Sequence, residues 1–188
     1  MMLQRLGMVV LLAVCGYTGY YLLNQHYWQT EAQVAPDAEK PLFTAEDVKS
    51  TSYNEQGIRN YTLDSTHLEY YQQIDETHFN EPVLWTYKDG TAEEWRISSE
   101  FAVLENKHIL VMTGRVRIFN LLPDAQIKVV TTEKLTLNLT SHDFWSDTET
   151  EITGTGLQTS GLRAKGNFGS HQMELIEQVK SRYEAKTK

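Results

Sequence analysis

Apolar and polar residues alternate along most of this chain, and the alternation returns in a fixed register. Ile127/Val129 and then Leu135/Leu137/Leu139 alternate with polar partners, the period-2 pattern of a half-buried strand. Arg115-Val116-Arg117-Ile118 does the same. Ser65-Thr66-His67, Ser98-Ser99-Glu100, Thr131-Thr132-Glu133 and Ala164-Lys165-Gly166 stand 33 residues apart. The first three open with paired hydroxyl residues and read as strand starts; the fourth keeps only the spacing. A repeat of this length implies a stacked architecture. Ankyrin and tetratricopeptide arrays share the period but need a helical apolar stripe, which is missing. β-branched and aromatic residues fill the runs and suit a pleated surface. The expected fold is all-β.

Turn residues divide the strands. Tyr53 to Gly57 reads as a turn, and Asp89-Gly90 closes a hairpin after Pro82 to Tyr87. Ile109 to Met112 is a short apolar strand, with Gly114 after it as a bulge or close-approach site. Leu122-Pro123-Asp124 turns the chain again. The stretch 173–183 fits either a helix face or a terminal strand. The repeat context favours the strand.

The first two dozen residues follow another rule. Leu6 to Leu23 carries no charged side chain and as a helix would span roughly 27 Å, close to the ~30 Å hydrocarbon core of a bilayer. Tyr17, Tyr20, Tyr21, Tyr27 and Trp28 crowd its far end like an interfacial aromatic belt. Arg5 lies before it, and Glu31, Asp37 and Glu39 lie after it, which orients the N-terminus to the cytoplasm. The competing readings are a cleaved signal peptide, a lipoprotein leader and a buried helix. Ala13-Val14-Cys15 is a poor cleavage site inside the run, and branched Val14 is a poor neighbour for a lipidated cysteine. An uncleaved single-pass anchor at 6–23 is the preferred expectation. It is preceded by a cytoplasmic 1–5 and followed by a Pro-containing tether at 24–42. One β domain, 43–188, completes the chain.

Composition narrows the function. Cys15 is the sole cysteine, so the exported part holds no internal disulfide. Beyond Arg5 the chain carries 16 bases against 25 acids, which argues against a nucleic-acid role. His26, His67, His78, His108, His142 and His171 show no zinc-like spacing. Asp75-Glu76 and Glu93-Glu94 read as solvated loop charge. Ser98-Ser99 lacks a nucleophile elbow, and no glycine-rich phosphate cradle occurs. Asn60-Tyr61-Thr62 and Asn138-Leu139-Thr140 match a sequon that arises often by chance. No catalytic constellation emerges, and no cofactor or metal is expected. Aligned apolar faces leave two readings: a filled core, or an open apolar groove able to hold acyl chains.

The wording of the β domain resembles the LptC family. The resemblance runs from about Tyr53 to Glu184. It rests on His67-Leu68-Glu69-Tyr70-Tyr71, Pro82-Val83-Leu84, Leu122-Pro123-Asp124, Ile127 to Glu133, Ser160-Gly161-Leu162 and Glu174-Leu175-Ile176-Glu177. It implies a β-jellyroll in a periplasmic bridge tethered to the inner membrane. Such a module receives lipopolysaccharide from the LptB/LptF/LptG ABC transporter, passes it to LptA and hydrolyses nothing itself. By position, the resemblance places Phe79 and Met173 in the acyl-binding interior, although the family often has a small residue where this chain has Met173. It places Val48, Gly57 and Gly154 toward the transporter, and Ile176, Val179 and Tyr183 toward LptA. The alternative is a structural adaptor that organises a β-sheet bridge without binding lipid.

Overall fold

The computed structural model describes Lys40 to Tyr183, together with Tyr17 and Tyr20. The expected membrane segment at 6–23 and the tether up to residue 39 lie outside the described residues, apart from those two helical tyrosines. Among the described residues, no helix is long and apolar enough to cross a membrane. Contacts divide the chain into Met1–Asp37 and Ala38–Lys188. The strands all lie in the second unit.

That unit runs back and forth nine times. The passes are β1 (Phe43–Tyr53); β2 (Arg59–Tyr71); β3 (Glu76–Asn80) with β4 (Val83–Lys88); β5 (Ala92–Ser98) with β6 (Phe101–Glu105); β7 (Ile109–Asn120); β8 (Ile127–Asn138); β9 (Asp143–Ser146) with β10 (Thr150–Gly154); β11 (Leu157–Gly161) with β12 (Arg163–Asn167); and β13 (Gln172–Ile176) with β14 (Lys180–Tyr183). All pairings are antiparallel, and all fourteen strands join one hydrogen-bonded sheet. Stretch 173–183 therefore forms strand, as the repeat context suggested, but in two pieces, β13 and β14, broken at residues 177–179.

Each pass bends near its middle. β2 pairs with β4 through Tyr61–Asp64 and with β3 through His67–Tyr71. β7 pairs with β6 through Ile109–Thr113 and with β5 through Arg117–Asn120. β8 divides likewise between β10 and β9. The line of bends folds the sheet into two half-sheets. Half-sheet I contains β4, β5, β10, β11 and β14 with the adjoining halves of the long strands. Half-sheet II contains β3, β6, β9, β12 and β13. This is the all-β jellyroll, with its core between the halves.

The 33-residue register marks these bends rather than strand starts. Ser65-Thr66 lies within β2, Ser98-Ser99 between β5 and β6, and Thr131-Thr132 within β8. The hydroxyls are needed because a bending strand leaves carbonyls off its ladder, and a buried unpaired polar group is costly. Ser65 Oγ donates to the His67 and Asn80 carbonyls, both at 2.7 Å. Ser99 Oγ donates to the Phe101 carbonyl at 2.8 Å. Thr132 Oγ1 donates to the Glu149 carbonyl at 3.1 Å and meets Ser146 Oγ and Thr148 Oγ1, each at 2.8 Å. The fourth copy misses its bend, which falls at Leu162. Ala164 sits inside β12, paired on both sides by β9 and β13.

Crossing a bend also shifts the inward face. Trp95 and Ile97 are buried before the bend, then Ala102 after it; Val130 and Thr132 before, then Leu135 and Leu137 after. The inward residues at the start of β8 are therefore Val130 and Thr132, with Val129 only half-buried. Ile127 regains the core at a register shift opposite Gly154. β7 turns its bend differently, with Gly114 and Arg115 at φ 80° and 45° and a register shift between Thr113 and Val116. The bulge expected at Gly114 is present. Leu84, Ile97, Leu110 and Met112 are fully buried, and both halves contribute to one continuous core.

Candidate functional site

The two interior positions sit on half-sheet II. Phe79, on β3, lies between Leu68 of β2 and Ala102 of β6 in register and is only 5% exposed. Met173, on β13, stands opposite Gly166, is half-buried and packs against the core. Met173 also borders a cleft of about 550 Å³ with Phe144, Trp145 and Lys165. Both side chains thus reach the apolar interior, Phe79 deep within it and Met173 near its rim. Buried side chains of both half-sheets meet in that interior.

The residues expected to face the transporter occupy different places. Val48 is half-buried on β1 opposite Ser65. Gly57 ends the β1–β2 turn at φ 75°, with open space where a Cβ would stand. Gly154 closes β10, where a Cβ would meet the Gln126 carbonyl oxygen at 2.4 Å. Gly57 and Gly154 share one rim of half-sheet I, but the 88–92 and 120–127 turns lie between them. β1 is paired only through β2, so its outer edge is open among the described residues. Polar contacts hold β1 down: His67 lies 2.8 Å from Glu46 and 3.3 Å from Glu69, while Lys49 reaches Asp64 at 3.3 Å. Those carboxylates, Glu46 first, raise the His67 pKa. Hydrogen bonds from Tyr71 and then His67 hold the Glu69 carboxyl below its usual value.

The residues expected to face LptA form the opposite edge. Ile176 closes β13 opposite Arg163; Val179 links β13 to β14 and is 52% exposed; Tyr183 closes β14 and is 76% exposed. β14 pairs only with β11. A strand edge of this kind leaves backbone donors and acceptors that another strand can satisfy.

Sequence patterns missed the seam where the half-sheets meet away from the bends. His142 Nε2 meets Asn60 Oδ1 at 2.9 Å, and Asn60 Nδ2 donates to the Leu139 carbonyl at 3.4 Å. His171 Nε2 meets Glu94 Oε1 at 2.6 Å. Glu94, expected to be solvated loop charge, lies within β5 and is only 7% exposed. Both histidines occupy turns at positive φ, where no spacing rule would single them out. The sequon asparagines also have structural tasks: Asn138 Oδ1 accepts from the backbone N–H groups of Thr140 and Ser141. Among the described residues, no cluster of three or more His, Cys, Asp or Glu suits a metal ion.

Relatives place the chain. The family model for "Lipopolysaccharide-assembly, LptC-related" matches residues 8–184. "Lipopolysaccharide export system protein LptC" of Escherichia coli K12 is 33% identical over 157 residues, covering 84% of this chain and 82% of that protein. Its namesake in Haemophilus influenzae is 26% identical over 190 residues, covering 92% and 90%. Among solved structures, LptH of Pseudomonas aeruginosa, an LptA-homologous periplasmic component of the lipopolysaccharide transport device, aligns at TM-score 0.47 and 8% identity. The alignment covers 79% of this chain and 99% of LptH, and this likeness carries no weight in the assignment. With residues 8–184 matched by the model and a third of the aligned residues shared with a relative covered over 82% of its length, this protein belongs to the LptC-related lipopolysaccharide-assembly family.

Proposed function

We propose that this protein is a component of lipopolysaccharide export, a β-jellyroll segment of the path between the inner and outer membranes. The observation that carries this reading is the match to LptC over 82% of that protein's length. The physical chemistry agrees with it. Two half-sheets enclose an apolar interior, and the ends of the sheet carry open strand edges. In finer detail, lipopolysaccharide arrives from the LptB/LptF/LptG transporter at the β1 end, near Val48 and Gly57. It leaves toward LptA at the β13–β14 edge, through Ile176, Val179 and Tyr183. Gly154 supports docking to the transporter. Residues 6–23 hold the chain in the inner membrane with the N-terminus cytoplasmic and the jellyroll in the periplasm.

The test is site-specific photocrosslinking in the full chain. A photoreactive side chain at Phe79 or Met173 should capture lipopolysaccharide in an ATP-dependent manner when the transporter is present. If neither position captures lipid while the protein still binds its partners, the conduit reading fails and the adaptor reading replaces it.

A further inference from the structure

At the seam, the β12–β13 turn lays His171 over Glu94 at 2.6 Å. Beside this pair lies a cleft of about 530 Å³, within the range that holds small molecules. Leu122, Pro123 and Ile127 line it together with Trp95 and His171. Its rim carries one base, Lys88, and one acid, Asp124, so charge selects little and apolar shape dominates. Trp95 leads inward. Its ring lies 5.2 Å from Phe168, which stacks on Phe144 at 4.3 Å within the core. The cleft and the interior thus share one aromatic wall.

Trp95 supplies a second, independent observation. It is only 4% exposed, yet its Nε1–H has no acceptor among the described residues. Native proteins keep few such buried donors unpaired. The Trp95 ring lines the cleft while its Nε1 is closed to solvent, so an acceptor meets the N–H only once the cleft widens; a ligand that is mostly hydrocarbon and carries a hydrogen-bond acceptor suits such a site. A plain alkane would leave the N–H unmet, and a small polar solute would gain nothing from Leu122, Pro123 and Ile127.

We propose that this cleft is an entrance by which one acyl chain of a lipid reaches the interior. The Trp95 N–H donates to an ester or hydroxyl oxygen on that chain, and the His171–Glu94 pair covers the opening. This inference rests on the lipopolysaccharide reading above and adds a port to it.

The experiment uses the full-length protein with lipopolysaccharide as the probe. A photoreactive side chain at Ile127 is compared with one at Phe79, and Trp95→Phe keeps the ring while removing the N–H. Capture is expected at both positions. Trp95→Phe should weaken lipopolysaccharide binding by about two- to tenfold, the usual effect of one lost hydrogen bond, while thermal unfolding stays near that of the parent. His171→Ala should speed capture at Ile127. Capture at Phe79 without capture at Ile127 overturns the entrance and leaves the conduit standing. Capture at neither position overturns both. Capture at Ile127 with unchanged affinity in Trp95→Phe overturns the donor role.

Discussion

Ser65 Oγ donates to the carbonyl of Asn80 at 2.7 Å, joining two passes of the chain at the point where both bend. The same hydroxyl donates to the His67 carbonyl in its own strand. Thr132 does the corresponding work two repeats later, with Ser146 and Thr148 beside it. In three of the four copies a side-chain hydroxyl thus offers its proton to carbonyls at the bend.

Removing these oxygens should loosen the fold. Ser65 is 6% exposed and Thr132 is 6% exposed, so Ser65→Ala and Thr132→Val should each cost roughly 1–3 kcal/mol through stranded carbonyls. Ser99→Ala, at a more open bend, should cost less. Denaturant titration of the jellyroll checks the order. Equal losses at all three sites would count against the corner account.

The two glycines proposed to face the transporter, Gly57 and Gly154, should separate on substitution. At Gly154 a Cβ would strike the Gln126 carbonyl, so Gly154→Ala should shift the β8–β10 register and cost about 2 kcal/mol or more. At Gly57 the space is open but φ is 75°, so Gly57→Ala should cost only about 1–2 kcal/mol of local strain. Melting temperatures measured beside transporter co-purification make the comparison. A Gly57 variant that keeps its stability but loses the transporter would place a docking surface at that turn.

The β1 edge should respond to pH. The His67 pKa is raised, so its contribution is fully present below the ordinary imidazole value of 6.5 and is lost as pH rises through the raised value. Glu69 is lowered, so its contribution is present above the usual 4.5 and is lost as pH falls through the lowered value. The Glu46–His67–Glu69 contacts should therefore hold β1 best between these limits. Amide-exchange protection at Ala45–Asp47 should be higher near about pH 5.5 than near about pH 8, and His67→Gln should abolish the difference. Identical protection at both pH values in the parent protein would refute the assignment.

The C-terminal edge should be separable from the core. Lys180–Tyr183 is exposed at every position and bonds only to β11. Deleting residues 176–188 should leave cooperative unfolding intact, abolish LptA binding and spare the transporter complex. LptA binding that survives the deletion would reverse or relocate the polarity proposed here.

Local pattern carried the strands a long way. Alternation located β7 and β8, Asp89-Gly90 located its hairpin, and the repeat context favoured strand at 173–183, where β13 and β14 stand. The hydroxyl pairs were visible as a spacing but misread as strand starts, because the carbonyls that Ser65 and Thr132 satisfy on neighbouring passes lie 15 and 17 residues away. Phe79 and Met173 came from family likeness, since alternation cannot rank one inward side chain above another. His142, His171 and Glu94 escaped altogether. Their partners lie 82 and 77 residues away in sequence, and a lone histidine in a turn has no local signature.

The sequence by itself determined that this is a strand-built chain with a regular 33-residue spacing, an apolar inward face and family-specific wording that ties it to LptC. These follow from short-range physics: side-chain period, turn chemistry and β-branched composition act within a few residues. Tertiary structure decided that the repeat is a row of bends, that Val130 rather than Val129 faces inward after the register shift, and that Glu94 is buried beneath His171. Each of those depends on which distant pass lies alongside. Hydrogen-bond partners and burial belong to that arrangement, not to any one stretch of residues.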